Sequence, residues 1–340
     1  MLMTLPEVEQ ACKEGRPIRG VDVVHSRMEF PLTRRLYPLG FPMDVSSNSA
    51  EALDAATESW GLFQPLFDTL PIQLRIGVLP GHVSECPPTT ECRVQSDIFS
   101  FIADAQNYGI ADMRRRISTI WILEGTLQYR SYIRHSMLEA SAMVQIATGF
   151  TTGVHSGLVE RNGVGVLLCG DSGAGKSTLS YACAKAGWTY ITDDGSYLVH
   201  GRDDLLAVGN CHQVRFRPSA GTIFPEIEGR EITQRSGIGK PSIELKPHAL
   251  GDIRCAQSAP VRHLVLLNRR EDRNEPLRPY SREVARQFLR QGRFAPLDTM
   301  PTHYAMIDRL LAGSVLELRY RDLDWALEQL DTLTSVQAPR

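Results

Sequence analysis

Eight residues near the middle of the chain, Gly170-Asp171-Ser172-Gly173-Ala174-Gly175-Lys176-Ser177, have the spacing G-x-x-x-x-G-K-[ST] of a phosphate-binding loop. Glycines at these positions let the backbone turn tightly, so that successive N–H groups converge on phosphate oxygens. Lys176 supplies a point charge for β- and γ-phosphates, and the Ser177 hydroxyl is a ligand for Mg²⁺. The run from Gly170 to Thr178 is therefore the candidate nucleotide-binding stretch.

A second set of chemical groups follows one short helix later, at Asp193-Asp194-Gly195. Phosphoryl transfer to a hydroxyl needs one carboxylate to orient the nucleophile and take its proton, and another to hold Mg²⁺. Neighbours on a strand point to opposite faces, so the two aspartates share a job only if the strand has ended, which Gly195 permits. Asp-Asp-Gly is also a hairpin signal. Its position just after a phosphate loop favours the chemistry.

Three more cations are candidates. Arg215 and Arg217 share one face of an extended stretch and meet either phosphate and substrate or solvent. The chain carries its positive charge on arginine and has only five lysines, so an isolated lysine can mark a site that needs a compact charge. Lys240, in Gly237-Ile238-Gly239-Lys240, fits a glycine-rich lid over the γ-phosphate and equally fits a plain hairpin turn.

The elements that must position these groups are legible around them. Residues 164–169 form an apolar run of buried-strand length, residues 178–186 a short helix closed by Gly187, and residues 188–192 a strand leading to the aspartates. Further strands are expected at 196–200, 205–208, 213–217, 261–267 and 315–320, and helices at 281–289, 302–312 and 323–333. Residues 268–279 read as a charged, proline-flanked linker. A methionine-bearing helix at 132–147, closed by Gly149, is expected to pack against the nucleotide domain. Upstream, residues 1–45 read as irregular with a strand at 21–24. A helix then follows Ser46-Ser47-Asn48 and ends at Gly61, with a half-buried strand at 72–78 and short strands at 97–103 and 117–123. The stretch 106–116 has room for one more strand, and Arg114-Arg115-Arg116 reads as a solvated turn. The division expected is an N-terminal α/β domain with a largely antiparallel sheet over 1–128, then a nucleotide-binding domain over 129–340.

Bulk properties exclude several classes. A net charge of -2 gives no electrostatic case for nucleic acid. No apolar run approaches the ~18 residues of a membrane span, and the first residues lack a signal-peptide core, so a cytoplasmic protein is expected. Seven scattered cysteines with no C-x-x-C pair argue against a disulfide framework and a zinc site, and Cys169 and Cys183 read as small core residues. A homo-oligomer is left open.

From His155 to about residue 199 the sequence resembles HPr kinase/phosphorylase, the bacterial enzyme that phosphorylates a serine of a sugar-transport protein. The resemblance rests on His155, Val164-Gly165-Val166-Leu167-Leu168, the loop Gly170 to Ser177, Gly187 and Asp193-Asp194, with their spacings. It implies a P-loop α/β catalytic domain with a mixed sheet and the use of ATP and Mg²⁺. It also implies that His155 belongs to the active site, that Asp194 accepts the proton during transfer, and that Asp193 is its supporting carboxylate and a metal ligand beside Ser177. The family's second signature, Glu-Ile-Arg-Gly-hydrophobic-Gly, is not found; Glu231-Ile232 and Arg235-Ser236-Gly237-Ile238-Gly239 form a broken echo of it. The acceptor and a second magnesium ligand stay unassigned on that ground. The reading is a kinase that transfers the γ-phosphoryl group to a hydroxyl of a protein or peptide substrate, a serine being implied by the resemblance. The alternatives are a non-catalytic ATP-binding switch or docking module, a relative of phosphoenolpyruvate carboxykinase, and a small-molecule kinase.

Overall fold

The computed structural model describes residues 5–16, 27–233, 241–270, 272–291, 293 and 295–335. Lys240, the strand expected at 21–24 and the lid expected around 237–240 lie outside these residues. The chain divides into two units, the first running to Gly149 and the second beginning at Phe150.

In the first unit α1 (Leu5–Lys13) and β1 (Leu32–Leu36) occupy a stretch expected to be irregular. β2 (Met43–Ser47), α2 (Ala50–Trp60), β3 (Ile72–Leu79), β4 (Glu91–Gln95), β5 (Ile98–Ile102), β6 (Tyr108–Asp112) and β7 (Ile117–Leu123) follow. The strands form one sheet in the order β1-β2-β3-β7-β6-β5-β4. The β2–β3 and β3–β7 pairings are parallel and the other four antiparallel. The Ser49 hydroxyl caps α2 by accepting from the Ala52 N–H, and Ala52, Leu53, Ala55, Ala56 and Trp60 form its buried stripe. The arginine run is a turn whose members pair locally: Arg114 Nε lies 2.7 Å from Asp97.

α3 (Arg130–Tyr132) runs through a π-helical turn, Ile133–Leu138, into α4 (Glu139–Gly149). This helix lies on the first sheet, against β3, β6 and β7. Ser118 Oγ donates to the Ser141 carbonyl at 3.1 Å, and Gln145 Nε2 donates to Ser118 Oγ at 3.0 Å. An amphipathic stripe says that a helix is covered, not by which sheet. The first unit runs through this helix to Gly149.

The second unit contains β8 (Thr151–Val154), β9 (Ser156–Arg161), β10 (Val164–Cys169), α5 (Lys176–Lys185), β11 (Thr189–Thr192), β12 (Ser196–Val199), β13 (Leu206–Gly209), β14 (Val214–Phe216) and β15 (Ile243–Leu245). It closes with β16 (Ser258–Arg269), β17 (Glu275–Pro279), α6 (Arg282–Arg290), α7 (Met300–Ala312), β18 (Ser314–Tyr320) and α8 (Leu323–Ser335). Nine strands form a mixed sheet in the order β11-β9-β10-β16-β13-β12-β8, with β18 beside β16 and β17 beside β18. β10–β16 and β16–β18 are parallel. β17 occupies part of the expected linker.

Alternation along β10 sorts the core into two layers. Val166 and Leu168 pack with Leu179 and Cys183 of α5 and Leu330 of α8. Leu167 and Cys169 pack on the other face with Leu289 of α6 and Met306, Ile307 and Leu310 of α7. Cys169 and Cys183 are fully buried free thiols that serve as core residues.

Candidate active site

Strand register brings the sequence-predicted groups to one edge of the second sheet. β9 and β10 form a hairpin through Asn162-Gly163, both with positive φ, in the arrangement of a type I′ turn. Its last pair is Ser156↔Cys169, so His155 and Gly170 leave the hairpin side by side. β11 lies antiparallel to β9, with Thr192 opposite Leu158, and therefore delivers Asp193 and Asp194 to the same edge. His155, Ser172, Gly173, Gly175, Lys176, Ser177, Thr178, Asp194, Arg215 and Arg217 all line one open cleft of about 320 Å³.

The loop wraps the start of α5. Gly175 is the helix N-cap, at φ 97°, and among the described residues no side chain caps the first turn. The first N–H groups of α5 therefore remain for an anionic ligand, and the helix dipole favours one there. Lys176 Nζ donates to the carbonyls of Gly170 at 2.7 Å and Asp171 at 3.2 Å, which uses two of its three protons and leaves one for the cleft. Burial pulls the Lys176 ammonium down, and the nearby Asp194 charge opposes that pull.

The two aspartates are in contrasting surroundings. Asp193 is buried, and it accepts from the Tyr190 hydroxyl at 3.0 Å, the Arg215 backbone N–H at 3.2 Å and Ser177. Burial pushes its carboxyl up from the ordinary range; these hydrogen bonds work against that, and the Asp194 charge adds to it. The single Tyr190 proton also has the Gln213 carbonyl in reach at 2.7 Å. Asp194 is half-exposed, with Oδ2 2.8 Å from Arg215 Nη2 and Oδ1 3.4 Å from His155 Nδ1.

β14 explains the arginines. Val214 and Phe216 are buried with Tyr181 and Phe224, so alternation turns Arg215 and Arg217 into the cleft. Arg215 meets Asp194, whereas Arg217 reaches Ser172 Oγ of the loop at 3.5 Å.

Two residues the sequence reading missed complete the site. Arg269 lines the cleft, and Tyr320 holds the loop from behind, its hydroxyl donating to the Ala174 carbonyl at 3.1 Å. They are register partners at the carboxyl ends of β16 and β18. In open α/β sheets ligands gather at the carboxyl ends of parallel strands, and that rule applied to the apolar run at 261–267 points to Arg269.

Among the described residues no group of three or more His, Cys, Asp or Glu is placed to hold a metal ion. The donors at the loop are the Ser177 hydroxyl and the Asp193 carboxylate. These hard oxygens suit Mg²⁺, which characteristically takes one or two carboxylates and completes its shell with water and substrate phosphates. Among the described residues no helix is long and apolar enough to cross a membrane.

The second unit thus defines a mixed α/β domain with the glycine-rich loop from Gly170 to Ser177 at one sheet edge and an acidic pair beside it. No family model matches the chain. Over 61 residues, 18% of its length, the chain is 41% identical to HPr kinase/phosphorylase from Limosilactobacillus reuteri strain DSM 20016. It is equally similar to the protein of that description from L. reuteri subsp. reuteri strain JCM 1112. The match spans 19% of the length of each relative. A solved structure of the Hpr(Ser) kinase/phosphatase from Coxiella burnetii is matched over 54% of this chain and 94% of that one, at 16% identity and a TM-score of 0.28. The relationship to HPr kinase/phosphorylase is distant, and in sequence it is local.

Proposed function

We propose that this chain is an ATP- and Mg²⁺-dependent kinase that transfers the γ-phosphoryl group to a hydroxyl, a serine of a protein or peptide being the acceptor the local similarity favours. The observation that carries the reading is the convergence, in one cleft, of the loop lysine Lys176 with Asp194 and its neighbour His155.

The loop and the uncapped first turn of α5 bind the phosphates, Lys176 adds its remaining proton, and Arg217 and Arg269 flank them. Ser177 and Asp193 hold Mg²⁺, which when bound neutralises charge on the phosphate oxygens. Asp194 takes the proton of the acceptor hydroxyl as that oxygen bonds to the terminal phosphorus and the bond to the ADP oxygen breaks. The half-exposed position of Asp194 lets an incoming hydroxyl reach it.

The test is label transfer from γ-labelled ATP with Mg²⁺ into a cell extract, wild type against Asp194→Asn. Wild type should label an acceptor whose size separates peptide from metabolite, and the variant should lose at least about 100-fold, the scale of a missing general base. ATP binding with no labelled acceptor by either protein would sink the kinase reading and favour an ATP-binding switch.

A further inference from the structure

One residue holds both carboxylates. The Arg215 backbone N–H donates to Asp193 Oδ2 at 3.2 Å, and its guanidinium donates to Asp194 Oδ2 at 2.8 Å. Its strand is fixed independently of the cleft. Val214 and Phe216, on either side, are buried in an aromatic cluster, and β14 is paired to β15 through Val214↔Leu245 and Phe216↔Ile243. Asp194, by contrast, lies just past the end of β11, beyond its last ladder pair, Thr192↔Leu158.

We propose that Arg215 is the positioning residue of the base, fixing Asp194 so that Oδ1 is the oxygen that receives the proton. The inference rests on the kinase reading above. A carboxylate on a short side chain rotates freely unless it is held, and a planar guanidinium carried on a fixed strand holds one of its oxygens. With Oδ2 engaged by Arg215, the lone pairs of Oδ1, on the His155 side, are left for the acceptor hydroxyl. A partly exposed ion pair of this kind adds little to folding, so its consequence lies in geometry. Arg217, two residues on and facing the same cleft, touches the loop instead. The strand therefore presents one arginine to the base and one to the phosphates.

The experiment measures phosphate release from Mg²⁺-ATP, with water as acceptor, and label transfer in extract, for wild type, Arg215→Ala, Arg215→Lys and Asp194→Asn. Arg215→Ala keeps the backbone N–H on Asp193, so the fold and ATP binding should persist. Its kcat should fall about 100-fold, the cost of a misplaced catalytic group, while KM for ATP changes less than about twofold. Millimolar guanidinium should restore part of that kcat in Arg215→Ala and none in Asp194→Asn, a rescue a merely structural role would not show. Arg215→Lys, with charge but without the planar guanidinium, should fall between. An Arg215→Ala protein with wild-type kcat, or one that loses ATP binding instead, overturns the assignment while leaving the kinase reading in place. So does a loss of kcat that guanidinium fails to rescue. A wild-type protein that binds ATP and neither hydrolyses nor transfers it overturns the kinase reading, and this one with it.

Discussion

The Tyr320 hydroxyl donates to the Ala174 carbonyl at 3.1 Å, and the same oxygen stands 2.2 Å from where a Cβ on Gly175 would lie. A side chain from the last residue of β18 thus packs against the inside of the glycine-rich loop. Gly175 is required twice: its φ of 97° is left-handed, and the space beside it is filled. Gly175→Ala should raise the Kd for ATP by at least about tenfold, because the loop must move to relieve the contact, with strain of roughly 1–2 kcal/mol. Tyr320→Phe relieves nothing and removes one hydrogen bond, about 1 kcal/mol, so Tm should drop by about 2–4 °C and ATP affinity by a few-fold. Isothermal titration and thermal melts check both, and an alanine at 175 that binds ATP normally would show that the loop does not need this shape.

Asp193→Asn should fold. An asparagine NH₂ on the Oδ1 side donates to the Tyr190 oxygen, while Tyr190 keeps its 2.7 Å bond to the Gln213 carbonyl. The wild-type carboxyl is raised by burial, so its stability is fullest at low pH and falls as pH rises through the folded value, where a buried charge must form. The asparagine protein should therefore gain on wild type as pH increases through that range, read as the difference in Tm between the two. Its magnesium requirement should move the other way, with at least about tenfold more Mg²⁺ for half-maximal activity, the scale of one charged contact. An unchanged Mg²⁺ dependence would remove Asp193 from the metal site.

Legibility followed from how local each signal is. Val164–Cys169, the glycines and Lys176 lie within one strand–loop–helix, and their geometry is written in consecutive residues. β9 was missed because its first four residues are all buried, which leaves no alternation to read, although the Asn162-Gly163 turn announces a hairpin. β17 was hidden by its prolines and charges, which an edge strand tolerates. The covering of α4 by the first sheet depends on Ser118 and Gln145 meeting, and the periodicity of the helix says nothing of that. Tyr320 contacts a loop 146 residues away through the parallel register of β10, β16 and β18, information that exists only once the sheet is assembled.

Lys176→Met tests whether the loop lysine binds or merely folds. The ammonium is buried and pulled down by that burial, so wild type spends stability to keep it charged. Methionine fills the aliphatic volume and leaves the Gly170 and Asp171 carbonyls without their donor. These losses offset one another, and Tm should stay within a few degrees. ATP binding should weaken by about tenfold or more, with phosphoryl transfer falling further, because the lost proton meets the phosphates most strongly during transfer. Equal losses in binding and transfer would mean that Lys176 acts on the ground state alone.

Acid sensitivity should reside in part at His200, away from the cleft. Its Nε2 is 2.8 Å from Thr152 Oγ1, which also meets His303 Nδ1 at 3.0 Å. Burial, with Arg293 nearby, pushes His200 down to about 4. The unfolded chain takes up a proton near the ordinary histidine value, whereas the folded chain takes it up only near 4. The stability contributed by the neutral ring is complete above about pH 6.5 and is lost as pH falls toward 4, at no more than roughly 1.4 kcal/mol per pH unit. His212 and His263 are shifted the same way, so the whole slope is shared. His200→Gln offers Thr152 an amide in place of the ring and does not titrate. Denaturant unfolding at pH 7.0 and at about pH 5 should show a smaller loss for the variant than for wild type, and parallel losses would assign the acid limb to the other histidines.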